Sequence, residues 1–280
     1  MKSNHNDSKR VYHLKLVPQH ISNDIFLVGD QDRVSEISKH FDSVEYQITN
    51  REFVTHTGYI GEKRISAIST GIGTDNIDIV LNELDALVNT DLDSGQELKE
   101  KTSLNLVRLG TSGTIQKEIN INSIVVSSYG LGIDNLMYFY ANNQFDHEIQ
   151  NAIDQQLKWP SCLSKPYVYA ANKDLLNKFE GFNKGITITA PGFYAPQGRQ
   201  IRIPFAIEDL HQRLLKFNHN GIKITNFEME TSAFYGLGKL MGHNCLTLCT
   251  ILDNRATKQR STNYKSAIDN LIIQALDKLA

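Results

Sequence analysis

Short apolar runs alternate with stretches of helical period along this chain, and that alternation predicts an α/β fold. Ile25-Phe26-Leu27-Val28 reads as a buried strand stopped by Gly29-Asp30, with helical spacing over residues 34–40 behind it. Residues 64–70 form the next expected strand and exit into Gly71-Ile72-Gly73. Thr74 or Asp75 then caps a helix whose Ile77, Val80, Leu81, Leu84 and Leu87 share one face. A third strand, residues 104–109, ends in Gly110-Thr111-Ser112-Gly113, and residues 123–127 and 185–189 add two more. The apolar, threonine-rich run 245–252 predicts another strand with a polar exit at Asp253-Asn254-Arg255. A closing helix lines up Ile268, Leu271, Ile272, Ala275 and Leu279. The charged stretch 90–102 suits a surface loop, and the Tyr- and Asn-rich stretch 137–145 a loop or an edge. Neither a repeat nor a shift of composition divides the chain. A single domain over residues 1–280 is expected, with residues 1–10 flexible.

Composition narrows the function classes. With 40% hydrophobic and 21% charged residues, the 280-residue chain has the makeup of an ordinary globular protein. Its formal net charge of −2 gives no global field to draw nucleic acid or an anionic membrane. No apolar run approaches the roughly 18 residues of a membrane span, and the polar N-terminus lacks the apolar core of a signal peptide. A cytoplasmic protein is expected. Cys162, Cys245 and Cys249 have no metal-ligand company and read as reduced core thiols.

Three kinds of chemistry stand out against this background. Glu228-Met229-Glu230 is an acidic cluster with one apolar side chain, suited to a sugar: carboxylates take hydroxyl protons while the methionine covers the ring. Gln197-Gly198-Arg199, behind Phe193, suits a flat heterocycle, because the amide offers donor and acceptor side by side and the guanidinium adds a planar fork. Three strand exits place glycine where backbone N–H groups turn toward a ligand: Gly29 to Arg33, Gly71 to Gly73, and Arg108 to Gly113. Two of them carry an arginine, and Thr111 adds a hydroxyl, so together they suit an anion. No Walker loop occurs, which argues against nucleotide triphosphate hydrolysis.

Sugar, heterocycle and anion together resemble the nucleoside phosphorylases of the phosphorylase/hydrolase fold, and within them the uridine-specific members most closely. The likeness runs from Val11-Tyr12-His13-Leu14 to the last helix, with the Gln-x-Arg and Glu-Met-Glu elements as its specific parts. It implies a central mixed, twisted β-sheet flanked by helices. It also implies that Gly29, Arg33, Arg108 and Thr111 hold phosphate, with Arg51 of Arg51-Glu52-Phe53 added from a neighbouring subunit. By the same resemblance, Glu228, Met229, Glu230 and Thr111 meet the ribose, and His13 reaches across a dimer to the 5′-hydroxyl. Phe193, Gln197, Arg199 and, through water, Arg255 face the base; Arg199, Gln197, Glu230 and Arg108 carry the catalysis. Glu52 corresponds to a monovalent-cation ligand of some members; no other cofactor is implied, inorganic phosphate being the co-substrate.

The implied reaction is reversible phosphorolysis of uridine to uracil and ribose 1-phosphate by a homodimer or hexamer. Val28-Gly29-Asp30-Gln31 departs from the family's Pro-Gly-Asp-Pro turn, and the 90–102 stretch is longer than the bacterial hexameric type carries. Blander roles stand beside these: Glu228 as a structural partner, Met229 and His13 as core residues, Arg51 as a surface charge. Asp253 falls one position before an aspartate that purine-specific relatives use as general acid. Three rivals therefore stay open: a purine nucleoside phosphorylase, a nucleosidase that uses water, and a non-catalytic nucleoside or phosphate sensor.

Overall fold

The computed structural model describes residues 10–141 and 144–279, so the stretch expected to be flexible lies, apart from Arg10, outside the described residues. The first half of the chain runs β1 (Asp24–Val28), α1 (Asp32–Ser38), β2 (Ser43–Asn50), β3 (Phe53–Ile60), β4 (Lys63–Ser69), α2 (Thr74–Asn89), β5 (Asn105–Thr114) and β6 (Ile124–Gly132). The second half continues with α3 (His147–Leu157), β7 (Tyr167–Ala170), α4 (Lys173–Asn177), β8 (Asn183–Thr189), α5 (Leu210–Lys216) and β9 (Asn218–His219). It ends with β10 (Ile222–Glu228), α6 (Thr231–Met241), β11 (Asn244–Asn254), β12 (Gln259–Arg260) and α7 (Tyr264–Leu279). The α/β expectation holds.

One mixed 12-stranded sheet has the order β12-β11-β6-β8-β10-β5-β1-β4-β3-β2, with β7 on β6 and β9 on β10. It is not fully open. β11 also pairs in parallel with the whole of β5, from Asn244↔Asn105 to Asn254↔Thr114. Strands β5, β11, β6, β8 and β10 therefore close into a ring, while β1, β4, β3 and β2 extend from it as a wing. The junction is a fork on one edge of β5: residues Asn105 to Arg108 pair with β1, whereas Gly113 and Thr114 pair antiparallel with β10. Four residues between, Leu109 to Ser112, run along the mouth of that fork.

Packing follows the sequence pattern. All five expected core residues of α2 are buried, as are the five of α7. Burying one such aliphatic side chain stabilises the fold by roughly 1.5–3 kcal/mol, so these two faces anchor the helices on the sheet. Helix α6 is different, being buried continuously from Thr231 to Gly238. It threads between the ring and α2, which fixes where its N-terminus points.

Several local expectations need correction. The third strand does not stop at Leu109 but continues through the glycine motif to Thr114, because β11 supplies partners along its full length. Gly73, not Thr74 or Asp75, sits at the N-cap of α2, in a left-handed backbone with φ of 100°. His13 lies in a turn. Cys245 and Cys249 are buried free thiols, but Cys162 is exposed. Stretch 137–145 begins in a 3-10 turn, and its residues 142 and 143 lie outside the described residues. Among the described residues, no helix is long and apolar enough to cross a membrane.

Candidate active site

The fork in β5 opens into a cleft of ≈ 860 Å³. Gly29, Arg33, Arg108 and Thr111 line it, together with Met229, Glu230, Phe193, Gln197 and Arg199. Two chemical poles are separated along β5. Arg108 marks one, and Gly113, where a β-carbon would touch Arg199 at 3.4 Å and Arg255 at 3.5 Å, marks the other. Five strand residues put them about 16 Å apart. Sheet pairing thus brings together groups that the chain holds up to two hundred residues apart.

At the first pole the charges are dense and dry. Arg108 is 4% exposed, and its Nη2 donates a short hydrogen bond to Glu230 Oε2. Nη1 stands 3.4 Å from Glu228 Oε2, and neither Nη1 nor Nε has a hydrogen-bond partner. Sequence alone called for an anion at this buried arginine; the protein supplies two carboxylates of its own and still leaves guanidinium N–H groups unsatisfied. Such groups are costly to bury, and an oxyanion has the acceptors that would satisfy them. Gly110 makes room for the arrangement, since a β-carbon there would collide with Arg108 Nη1.

The two glutamates divide their labour. Glu228 caps α6, accepting from Glu230 N at 3.0 Å, from Thr231 N at 3.0 Å and from the Thr189 hydroxyl at 2.8 Å. This is the structural partnership that stood beside its ribose role. Glu230 accepts from Gly73 N at 2.9 Å and from Met229 N at 3.2 Å besides Arg108. The positive φ of Gly73 turns its N–H toward the carboxylate, a contact that sequence reading missed because nothing local links residues 73 and 230. Burial pushes the Glu228 carboxyl up to about 7; Arg108 pulls it down and Glu230 pushes it up again.

Arg33 follows β1 and lies in the same cleft. Burial lowers its pKa, Asp30 opposes that, and Arg108 reinforces it, which marks two guanidinium groups sharing one space. Arg51 and Glu52 form the two-residue turn between β2 and β3. Arg51 holds φ of 55°, left-handed for a non-glycine residue at a cost of roughly 1–2 kcal/mol. Glu52 lines the cleft, but Arg51 and His13 do not line the cleft of their own chain. No group of three or more His, Cys, Asp or Glu is arranged to hold a metal ion among the described residues, and Glu52 brings one carboxylate.

At the second pole, Gln197 is the hub. It is buried, and its Oε1 accepts from Arg199 Nη1 at 2.5 Å and from Arg255 Nη2 at 3.2 Å. Arg255 also donates to the Gln197 carbonyl and lies 4.8 Å above the Phe227 ring. With the amide oxygen occupied twice, the amide N–H₂ is the end left for a ligand. Arg199 stacks over Phe193 at 3.9 Å and donates to the Phe193 carbonyl at 3.0 Å. Burial lowers the Arg199 pKa; it also pushes Arg255 down to about 10, where the Arg199 charge adds to the effect. Arg255 does not line the cleft but braces Gln197 from behind. Asp253 does line it, 3.7 Å from Arg260.

These features define an α/β enzyme-like cleft with an arginine-rich anion pole and an amide–guanidinium pole on one sheet edge. The chain belongs to the Phosphorylase superfamily, whose family match covers residues 24–279. It is 26% identical over 255 residues to the uridine phosphorylase of Thermococcus kodakarensis, covering 89% of this chain and 79% of that one. It is 25% identical over 268 residues to the DeoD-type purine nucleoside phosphorylase of Bacillus cereus, covering 95% of this chain and 97% of that one. Among solved structures, a Trypanosoma brucei nucleoside phosphorylase with uridine phosphorylase activity superposes with a TM-score of 0.86 at 25% identity, covering 98% of both chains.

Proposed function

We propose that this protein is a uridine phosphorylase, a pentosyltransferase that reversibly converts uridine and phosphate into uracil and ribose 1-phosphate. The observation that carries this is the pairing of two poles in one cleft. Arg33 and Arg108, with Thr111 and Gly29, suit a phosphate dianion, while Gln197 and Arg199 suit a carbonyl-edged heterocycle. Relatives that act on uridine and on purine nucleosides both match, and the Gln197–Arg199–Arg255 cluster favours the pyrimidine.

Glycosidic cleavage builds positive charge on the ribose and negative charge on the leaving base. Phosphate held by Arg33 and Arg108 stabilises the cationic sugar, then bonds to its anomeric carbon as the electron pair of the broken bond leaves with uracil. Arg199 and the Gln197 amide N–H₂ offset the charge on the uracil oxygens. Met229 covers the sugar, and Glu230, fixed by Arg108 and Gly73, accepts its hydroxyl protons. A single carboxylate at Glu52 gives a monovalent cation little to hold within one chain.

His13 and Arg51 lie off their own cleft, which supports a homo-oligomer in which they complete a neighbour's site. The whole chain acts as one catalytic unit on small molecules, in the cytoplasm. One panel tests the assignment: uridine and inosine, each with and without phosphate, assayed for free base. Uracil from uridine with phosphate supports it; hypoxanthine from inosine alone would replace it with the purine activity.

A further inference from the structure

Glu83, midway along α2, serves neither pole of the cleft, yet it gathers an unusual set of donors. Its carboxylate side chain is 13% exposed. Oε1 accepts from His13 N at 2.7 Å and faces His13 Nδ1, also at 2.7 Å. Oε2 accepts from Leu14 N at 2.8 Å and from His13 N at 3.0 Å. One carboxylate thus clasps both the backbone and the ring of the 12–14 turn. On the other side, Asn50 Nδ2 donates to the His13 carbonyl at 2.7 Å, tying the same turn to the hairpin that carries Arg51.

We propose that Glu83 is the positioning residue for His13, locking the imidazole so that Nε2 is the nitrogen presented to the ribose bound by a neighbouring subunit. This rests on the proposed nucleoside phosphorolysis. The chemistry is restrictive. An ionised carboxylate only accepts, so Nδ1 must carry a proton, and Nε2 is left for the outside partner whether the ring is neutral or charged. A clasp needed only to anchor the backbone is complete with the two N–H groups of residues 13 and 14. The third bond, to the ring, fixes side-chain orientation. Edge contacts with Tyr12 at 4.8 Å and Phe53 at 6.4 Å hold the ring laterally. Because Asn50 joins this turn to the Arg51 hairpin, the clasp also sets His13 and Arg51 as one unit.

The test is steady-state kinetics of Glu83→Gln at saturating phosphate, with uridine and with 5′-deoxyuridine, which lacks the hydroxyl that Nε2 would meet. On uridine, kcat/KM should fall about tenfold or more, mainly through KM. On 5′-deoxyuridine the change should stay within about twofold, no hydrogen bond being left to lose. Equal losses on both substrates would make Glu83 a fold anchor and overturn the proposal, as would no loss on uridine. His13→Ala, which keeps the backbone bonds to Glu83, guards against misfolding. It should show the same substrate split, and adding Glu83→Gln to it should cost little more; a further full loss contradicts the proposal. A wild-type chain that releases no uracil from either nucleoside would sink the parent assignment instead, a result none of these variants can produce.

Discussion

Arg108 and Glu230 meet as a buried ion pair at the mouth of the β5 fork, where the end of β10 has carried Glu230 onto the first turn of α6. Both side chains are at most 5% exposed, and Gly73 N completes the coordination of the carboxylate. Arg108→Met would leave Glu228 and Glu230 buried without their cation. Removing one member of such a pair costs about 3–5 kcal/mol. Urea denaturation should report a loss of that size, together with loss of phosphorolysis; unchanged stability would show that the pair is not held as described.

The same cluster makes stability depend on pH. Burial holds the Glu228 carboxyl near 7 against an ordinary 4.5, despite the pull of Arg108. Between those values the native protein keeps a proton that the unfolded chain has released. This contribution is complete below about 4.5 and is lost as pH rises through about 7, so stability falls with rising pH across that window. Denaturation midpoints followed through it should show the decline, and Glu228→Gln should flatten it. A rise in wild-type stability over the window, with no change in the variant, would contradict the assignment.

Gly110 is a steric requirement rather than a flexible hinge. A β-carbon would collide with Arg108 Nη1 and come within 3.0 Å of Cys249 Sγ. Gly110→Ala should displace the guanidinium, cost roughly 1–3 kcal/mol of stability and raise the KM for phosphate more than that for uridine. Equal effects on both constants would remove the link between this glycine and the anion pole.

The proposed function assigns base recognition to the Gln197 amide, which Arg199 and Arg255 brace. Arg199→Ala should lower turnover of uridine by about a hundredfold or more, the usual scale for one preorganised donor at developing charge. The Gln197 amide would lose one of its two brackets and rotate more freely. Near-wild-type rates in that variant would leave the base to be held elsewhere.

The sequence carried much of this site and little of its closure. Glycines and arginines at strand exits marked Gly29, Arg33 and Arg108, because a buried strand ending in a charge needs an explanation that is local in the chain. The Gln-x-Arg and Glu-Met-Glu elements were equally visible. Strand β2 was not: its Val44, Tyr46 and Ile48 alternate with polar residues on an edge that stays mostly exposed, so no apolar run announces it. Long-range contacts were invisible for another reason. Pairing of β11 with both β5 and β6, Gly73 against Glu230, and Glu83 beneath His13 all join residues separated by tens to more than a hundred positions. Cys162 was misplaced because composition cannot say which thiol faces solvent.

The proposed ribose role of Glu230 carries a consequence for the choice of sugar. A buried acceptor left without its hydroxyl donor is penalised, so 2′-deoxyuridine and thymidine should react with lower kcat/KM than uridine. Equal efficiency for all three would mean that Glu230 serves Arg108 and Gly73 alone.

Phosphorus NMR of the protein incubated with uridine and inorganic phosphate tests the central claim most directly. Ribose 1-phosphate should accumulate as phosphate is consumed, in step with uracil, and omitting phosphate should stop uracil release. Uracil appearing at the same rate without phosphate, with free ribose in place of the sugar phosphate, would contradict the account.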